Sequence, residues 1–437
     1  MVSGAAARIF SFLPTAAATF LASRFIIAHF GVPAFNGFTI AESLIVLVPL
    51  NDMGVGSAVT SAFASGDPLR SEAEGVTLAA GRILAGSALA LSFVSLIVAA
   101  GGWWQPLLGR ASYGGWFFGL AMVFFAVGFL PGLSQGMLLG VHRNHVTVLV
   151  QTLITPAVLI GVLLLIAVKG DGRWVVTLPS AALALVNVLL AVIATRITKF
   201  SWRNLLRKLP RRHKYPGGKV RGIAGPRFIL SLAVPLALQN DRIVLSHIAP
   251  PKDVAAYGVC FQIFAPITAL IAAAAAPLWP IYIASKAKGS SGPRVVWTTL
   301  VFFGPTLAIC AVLVPLSGPI GSLIGKGEVH LGLMLPIAAA SMTAMSAAAF
   351  PVAMFLTSPK ELRFVAIINV IGLPLNVALS IVLAKAMGAP GPLFATTIVV
   401  FGQLLAAGYY IHTRATRPLG DPDPESMVNN EEAQHET

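Results

Sequence analysis

Apolar residues in this chain gather in long uninterrupted runs rather than in narrow stripes, and the runs recur along nearly its whole length. A helix needs about 20 apolar residues to cross roughly 30 Å of hydrocarbon. Twelve stretches meet that demand: Ile9–Phe30, Gly37–Ser57, Gly81–Ala100, Trp116–Leu138, Thr147–Val168, Val175–Thr195, Phe228–Ile248, Ala255–Ile283, Val296–Leu316, Leu331–Leu356, Phe364–Leu383 and Leu393–His412. Prolines stand inside most of them, among them Pro14, Pro131, Pro156, Pro266, Pro351 and Pro374. Each removes a backbone donor and crowds the preceding turn, so bent helices are expected.

The runs are written twice. Ser23-Arg24-Phe25-Ile26-Ile27-Ala28-His29 returns as Asp241-Arg242-Ile243-Val244-Leu245-Ser246-His247, an offset of 242 − 24 = 218. Leu153-Ile154-Thr155-Pro156 returns as Ile371-Gly372-Leu373-Pro374 at the same offset, and Leu107-Leu108-Gly109-Arg110 as Leu323-Ile324-Gly325-Lys326 at 216. Six spans per half is an even number, so both halves enter and leave on one face. The expected fold is therefore an all-α integral membrane protein of two six-helix bundles, a parallel repeat about a pseudo-two-fold axis. The divisions are 1–195 for the first bundle, 196–227 for a linker, 228–414 for the second bundle and 415–437 for a polar, acidic tail expected to be disordered in the cytoplasm. Ala16-Ala17-Ala18 would suit a signal cleavage site, but the first span has its counterpart mid-chain and is read as a retained helix.

Composition agrees. With 56% hydrophobic and 11% charged residues, a water-soluble domain of this size could not hide its apolar surface. The net charge of +14 would suit nucleic acid were it not so unevenly placed. Eleven Lys/Arg and no acid fall between Arg196 and Arg227. With the N-terminus inside, cytoplasmic segments hold 22 Lys/Arg and outer segments 6, which predicts a multi-pass membrane protein with both termini cytoplasmic. The linker, with Trp202, Leu205 and Leu206 among its bases, is expected to lie on anionic lipid. Cys260 and Cys310 fall within spans as packing residues, and no Cys/His metal spacing is present.

Few ionisable residues lie inside the spans: Arg24, Glu42, Asp52, Asp241 and Arg242. A charge at that depth costs from about 2.5 to above 10 kcal/mol, so each must be paired, solvated or functional. Arg24 can pair with Glu42 across the first hairpin or snorkel outward, or it can join Arg242 across a cavity between the bundles to bind a phosphate group, for which a planar guanidinium is suited. Asp241 and Arg242 are neighbours and point about 100° apart on a helix. With Gln239 and Asn240 they form a polar run that suggests a water-filled face. Glu42, Asp52 and Asp241 are candidates for proton or sodium coupling, and His29 and His247 for interface contacts.

Arg24…His29-Phe30-Gly31…Phe35-Asn36-Gly37, with Leu50-Asn51-Asp52-Met53-Gly54-Val55-Gly56-Ser57-Ala58, resembles the opening of Wzx-type polysaccharide flippases. These belong to the multidrug/oligosaccharidyl-lipid/polysaccharide exporter (MOP) superfamily. Ala256-Tyr257-Gly258, Leu278-Trp279-Pro280 and Gly388-Ala389-Pro390-Gly391 fall at further family-like positions. The resemblance runs from about residue 8 to 414, and departs where relatives carry an arginine and this chain has Thr60-Ser61-Ala62. It implies a transporter, not an enzyme, that moves an undecaprenyl-pyrophosphate-linked oligosaccharide from the inner to the outer leaflet by alternating access. It implies no cofactor beyond a coupling ion, and as partners membrane lipids, the glycan carrier, and polysaccharide polymerase and glycosyltransferases of the same pathway. Nothing in the sequence points to nucleic acid or to nucleotide hydrolysis, since no Walker A motif occurs. A cation-coupled multidrug antiporter of the same superfamily is the alternative, and would rest on the acids.

Overall fold

In a computed structural model the described residues are 2–47, 55–64, 70–109, 113, 115–211, 213–216, 241–275, 278, 281, 282, 285, 292–356 and 359–415. Among them the chain is helical with short connections and no strand. Ten helices among the described residues are long and apolar enough to cross a membrane. The first holds one expected span and the opening of the next, as far as Leu47, because α1 (Val2–Leu47) changes direction at Gly31, whose backbone is non-helical at φ 80, ψ 173. That left-handed φ suits glycine, and Pro33 two residues on needs no donor at the start of the new helix. The seventh expected span, Phe228–Ile248, is described only over its last turns, α11 (241–248). The acidic tail and most of the second half of the basic linker lie outside the described residues.

The other elements are α2 (Val55–Ala64), α3 (Arg70–Ala100), α4 (Trp104–Leu108), α5 (Trp116–Val127), α6 (Phe129–Gly140), α7 (Asn144–Gln151), α8 (Ile154–Ala167), α9 (Leu178–Thr198), α10 (Trp202–Lys208), α12 (Pro251–Ala275), α13 (Gly292–Gly325), α14 (Met334–Phe355), α15 (Pro359–Met387) and α16 (Pro390–Ala415). The repeat is visible in the boundaries. α5 begins at Trp116 and α14 at Met334, and 334 − 116 = 218. It is visible also in the packing: α3 lies on α5 as α13 lies on α14, α6 on α9 as α14 on α16, α2 on α6 as α12 on α14, and α8 on α9 as α15 on α16.

The two halves differ in how they treat proline. Pro131 lacks an N–H and its ring crowds the Val127 carbonyl, and the helix breaks there into α5 and α6 at Gly128. Beside the break, Asn187 of α9 donates to the Gly128 carbonyl at 3.2 Å, which also accepts from the Gly132 N–H at 3.0 Å. Pro156 has the same effect on Thr152, separating α7 from α8. In the second half Pro266, Pro351 and Pro374 sit inside unbroken helices. The expected breaks thus fall in one lobe.

Close approach in the first lobe depends on glycine. A Cβ on Gly140 would stand 2.6 Å from the Thr60 carbonyl oxygen, and one on Gly136 2.8 Å from that of Gly56. The backbones of α2 and α6 therefore touch, as small residues permit in a membrane. Gly140→Val is expected to force these helices apart and destabilise the lobe by about 1–3 kcal/mol. The check is thermal unfolding in detergent, where an unchanged midpoint would show that α2 is not seated on α6.

The linker folds back on the first lobe. Phe200 and Leu205 are buried in its core, and Arg82 of α3 donates to the carbonyls of Lys208, Leu209 and Pro216 at 3.0–3.1 Å. Lys208 pairs with Glu74 at 3.4 Å. Arg203, Leu206 and Arg207 face outward on the opposite side of α10. This defines two ends of the bundle: a linker end, where α6 meets α7 and α14 meets α15, and a Gly31 end, where Gly109, Lys169, Pro250 and Gly388 lie.

Candidate functional site

The costliest residues in the sequence do assemble a site, but around the acid rather than around two arginines. α11 buries Asp241 in the second lobe at 2% exposure. Its carboxylate accepts from the hydroxyls of Ser380 at 3.2 Å, Thr396 at 3.3 Å and Tyr257 at 3.4 Å, contributed by α15, α16 and α12. Asn376 orients this collar by donating to Thr396 Oγ1 at 2.9 Å. The three contacts are longer than the usual ~2.7–2.8 Å between hydroxyl and carboxylate, so the acid is held loosely by neutral donors.

Asp241 stands at the deep end of a cavity of ≈ 590 Å³ inside the second lobe. The wall is mostly apolar, including Phe261, Met342, Phe350, Val400 and Leu404, with Thr268, Ser346, Asn369 and Gln403 as polar exceptions beside Asp241 and Thr396. It extends from Asp241 and Thr396 to Leu356, Phe364 and Ala407, that is, toward the linker end.

Arg242 points the other way, as adjacent helix positions dictate. It is buried at 5% exposure, donates to the Thr39 carbonyl at 2.8 Å and to Ser43 Oγ at 3.2 Å, and lies 4.9 Å over the Phe261 ring. Thr39 and Ser43 belong to α1, so Arg242 reaches from the second lobe into the first. Arg24 does the reverse. From α1 it donates to the Leu323 carbonyl at 3.1 Å, near the end of α13 in the second lobe. The repeat-related arginines thus each cross the lobe boundary, at separate places and onto backbone oxygens. No described cavity holds both. Glu42 is half-buried and forms no ion pair with Arg24; it lies instead within electrostatic range of Arg242. Asp52, Gln239 and Asn240 lie outside the described residues.

Other contacts extend this seam. Ser23 donates to Gln262 at 2.7 Å, and Asn36 to the Pro251 carbonyl at 2.8 Å. Ser246 donates to the Leu108 carbonyl, and the two ring nitrogens of His247 face the Ile243 and Pro106 carbonyls. His29 faces the Phe25 carbonyl one turn back. At about 1.5 Å per helical residue, the seam runs from the Gly31 end to roughly mid-depth. The largest apolar core, with Phe35 of α1 against Tyr257 and Phe264 of α12, occupies the same half.

Tyr257, Ser380, Thr396 and Asn376 were not singled out for this role by sequence. Tyr257 stood in a recognisable Ala-Tyr-Gly motif, but Ser380 and Thr396 look like any small polar residue of a packed helix.

A family model described as MatE matches residues 226–382. No curated protein matches the chain. Among solved structures, a multidrug resistance MATE family transporter of the MOP superfamily in an inward-facing conformation superposes with a TM-score of 0.68 at 13% identity, over 95% of this chain and 100% of that one. The lipid II flippase MurJ, in an inward closed conformation, gives 0.62 at 13% identity over 94% of this chain and 88% of that one. A MOP superfamily transporter from Pyrococcus furiosus, described by a binding pocket of reverse polarity, gives 0.57 at 12% over 94% of each. At such identities the likeness is one of fold.

Proposed function

We propose that this chain, which has the fold of the MOP-superfamily transporters, translocates a lipid-linked oligosaccharide between membrane leaflets by alternating access. The observation that carries the reading is the polarity of the structure: the lobes are sealed from the Gly31 end to mid-depth, while the cavity runs from mid-depth to the linker end. With the linker end cytoplasmic, as the distribution of Lys and Arg predicts, this is a state loaded from inside. The apolar wall suits the hydrocarbon of a polyprenyl carrier. Arg24 and Arg242 hold the seam here, and lobe separation would release both guanidiniums to a pyrophosphate, for which they are suited. Substrate and seam would then compete for the same donors, which couples binding to closure. Asp241 is the candidate for the coupling cation.

A second reading follows from the same site. A lone buried carboxylate on an apolar cavity also suits a lipophilic cation, as in a cation-coupled multidrug antiporter. The test is reconstitution in vesicles with a fluorescent polyprenyl-pyrophosphate-linked oligosaccharide, followed by chemical quenching of the outer leaflet. Protein-dependent movement of label is expected, with no accumulation of ethidium under a proton or sodium gradient. Ethidium transport without movement of the glycolipid would replace the first reading with the second.

A further inference from the structure

We infer that the first lobe carries a subsite for an uncharged sugar ring, in a second cavity of ≈ 630 Å³ between α2, α6 and α7. The inference rests on the glycolipid reading above and names the part of the substrate this lobe would take. Ligand pockets of roughly 300–1,000 Å³ hold small molecules, so the volume is sufficient.

The chemistry of the wall decides the ligand class. Hydroxyls come from Ser57, Thr60, Ser61 and Thr147, and side-chain amides from Gln135, Asn144 and Gln151. No charged side chain lines it among the described residues. A phosphate would call for Arg or Lys, a cation for a carboxylate, and a lipophilic drug or acyl chain for the apolar wall that the other lobe has. A polyhydroxylated ring needs neutral donors and acceptors side by side, which an amide provides in one group.

Three details indicate that these groups are set for a ligand. Thr147 is buried at 5% exposure, yet its hydroxyl has no partner. Thr60 gives its proton to the Gly56 carbonyl at 2.9 Å, which presents its oxygen as an acceptor. Gln135 donates to Asn187 at 3.2 Å, and Asn187 is fixed in turn on the break at Gly128. The proline-induced break thus orients one amide of the cavity. Position agrees as well. α6 ends and α7 begins at the linker end, where the apolar cavity of the second lobe also leads. An amphiphile entering there would meet a neutral polar lobe on one side and an apolar lobe on the other.

The experiment is saturation-transfer NMR on the full chain in lipid nanodiscs, with the methyl glycosides of glucose, N-acetylglucosamine and rhamnose as probes. Transfer to ring protons of at least one glycoside is expected. It should fall at least fivefold in the double variant Thr147→Val, Gln151→Leu, while Val312→Ala on the exposed face of α13 leaves it unchanged. Asn144→Trp alters an exposed rim position that folding tolerates, and should abolish transfer by closing the mouth. Inorganic phosphate should not compete. Absence of transfer from the wild-type chain, or transfer that survives both sets of changes in folded protein, overturns the subsite. Transfer that is lost as expected, in a chain that fails to move the glycolipid, upholds the subsite and overturns the transport reading instead.

Discussion

Arg242→Ala is expected to lower the stability of the protein by about 2–4 kcal/mol and to reduce glycolipid movement to background. The change removes charge-assisted bonds to Thr39 and Ser43, and takes the guanidinium from the face of Phe261. It also leaves Glu42 without the cation in its range. An uncompensated charge in a membrane is the larger part of such a loss. Adding Glu42→Gln should therefore recover a substantial fraction of stability without recovering transport. Arg242→Lys keeps the charge but reaches only one acceptor at a time, and should fall between. Thermal unfolding in detergent and the vesicle assay, run on the four proteins, complete the cycle. Wild-type unfolding of Arg242→Ala would mean that the seam does not depend on this residue.

The second large effect should come from Asp241, and there stability and transport are expected to part. Asp241→Ala strips three hydroxyls of their acceptor in a buried collar. A loss of about 2–4 kcal/mol follows from stranding several such donors. Asp241→Asn keeps the shape and one acceptor oxygen while removing the charge. It should unfold close to the wild-type temperature and yet fail to couple movement to a cation gradient. Coupled transport by Asp241→Asn at the wild-type rate would reduce the collar to a structural role.

The spans and the repeat were legible because a membrane imposes a length and a duplication imposes a period, both readable from one chain. The direction of Asp241 and Arg242 was legible too, since 100° per residue is a local property. The partners were not. Arg24 bonds a carbonyl 299 positions away, and no side-chain pattern marks a backbone oxygen as an acceptor. The partners expected for Arg24, Glu42 and Arg242, were both charged ones, and in the structure it bonds a carbonyl instead. The collar was hidden because Ser380 and Thr396 occur in helices where such residues also serve close packing. Prolines were visible, but whether each breaks its helix depends on what fills the gap. Asn187 packs its amide beside the break at Gly128, and it is supplied from another span.

Beside the side-chain oxygens of Ser43 and Gln262, the seam described above accepts on main-chain oxygens: those of Thr39, Leu108, Pro251 and Leu323. Every amino acid supplies a carbonyl, so the accepting strand of the closure is indifferent to which side chain stands there. The donating side is not: Arg24, Asn36, Arg242 and Ser246 each need a particular group at the end of a particular reach. Substitution is therefore filtered on one side of these four contacts and free on the other. A chain built this way can reshape the walls around its cargo while the closing mechanism stays intact, so that its specificity can drift without its gate being redesigned.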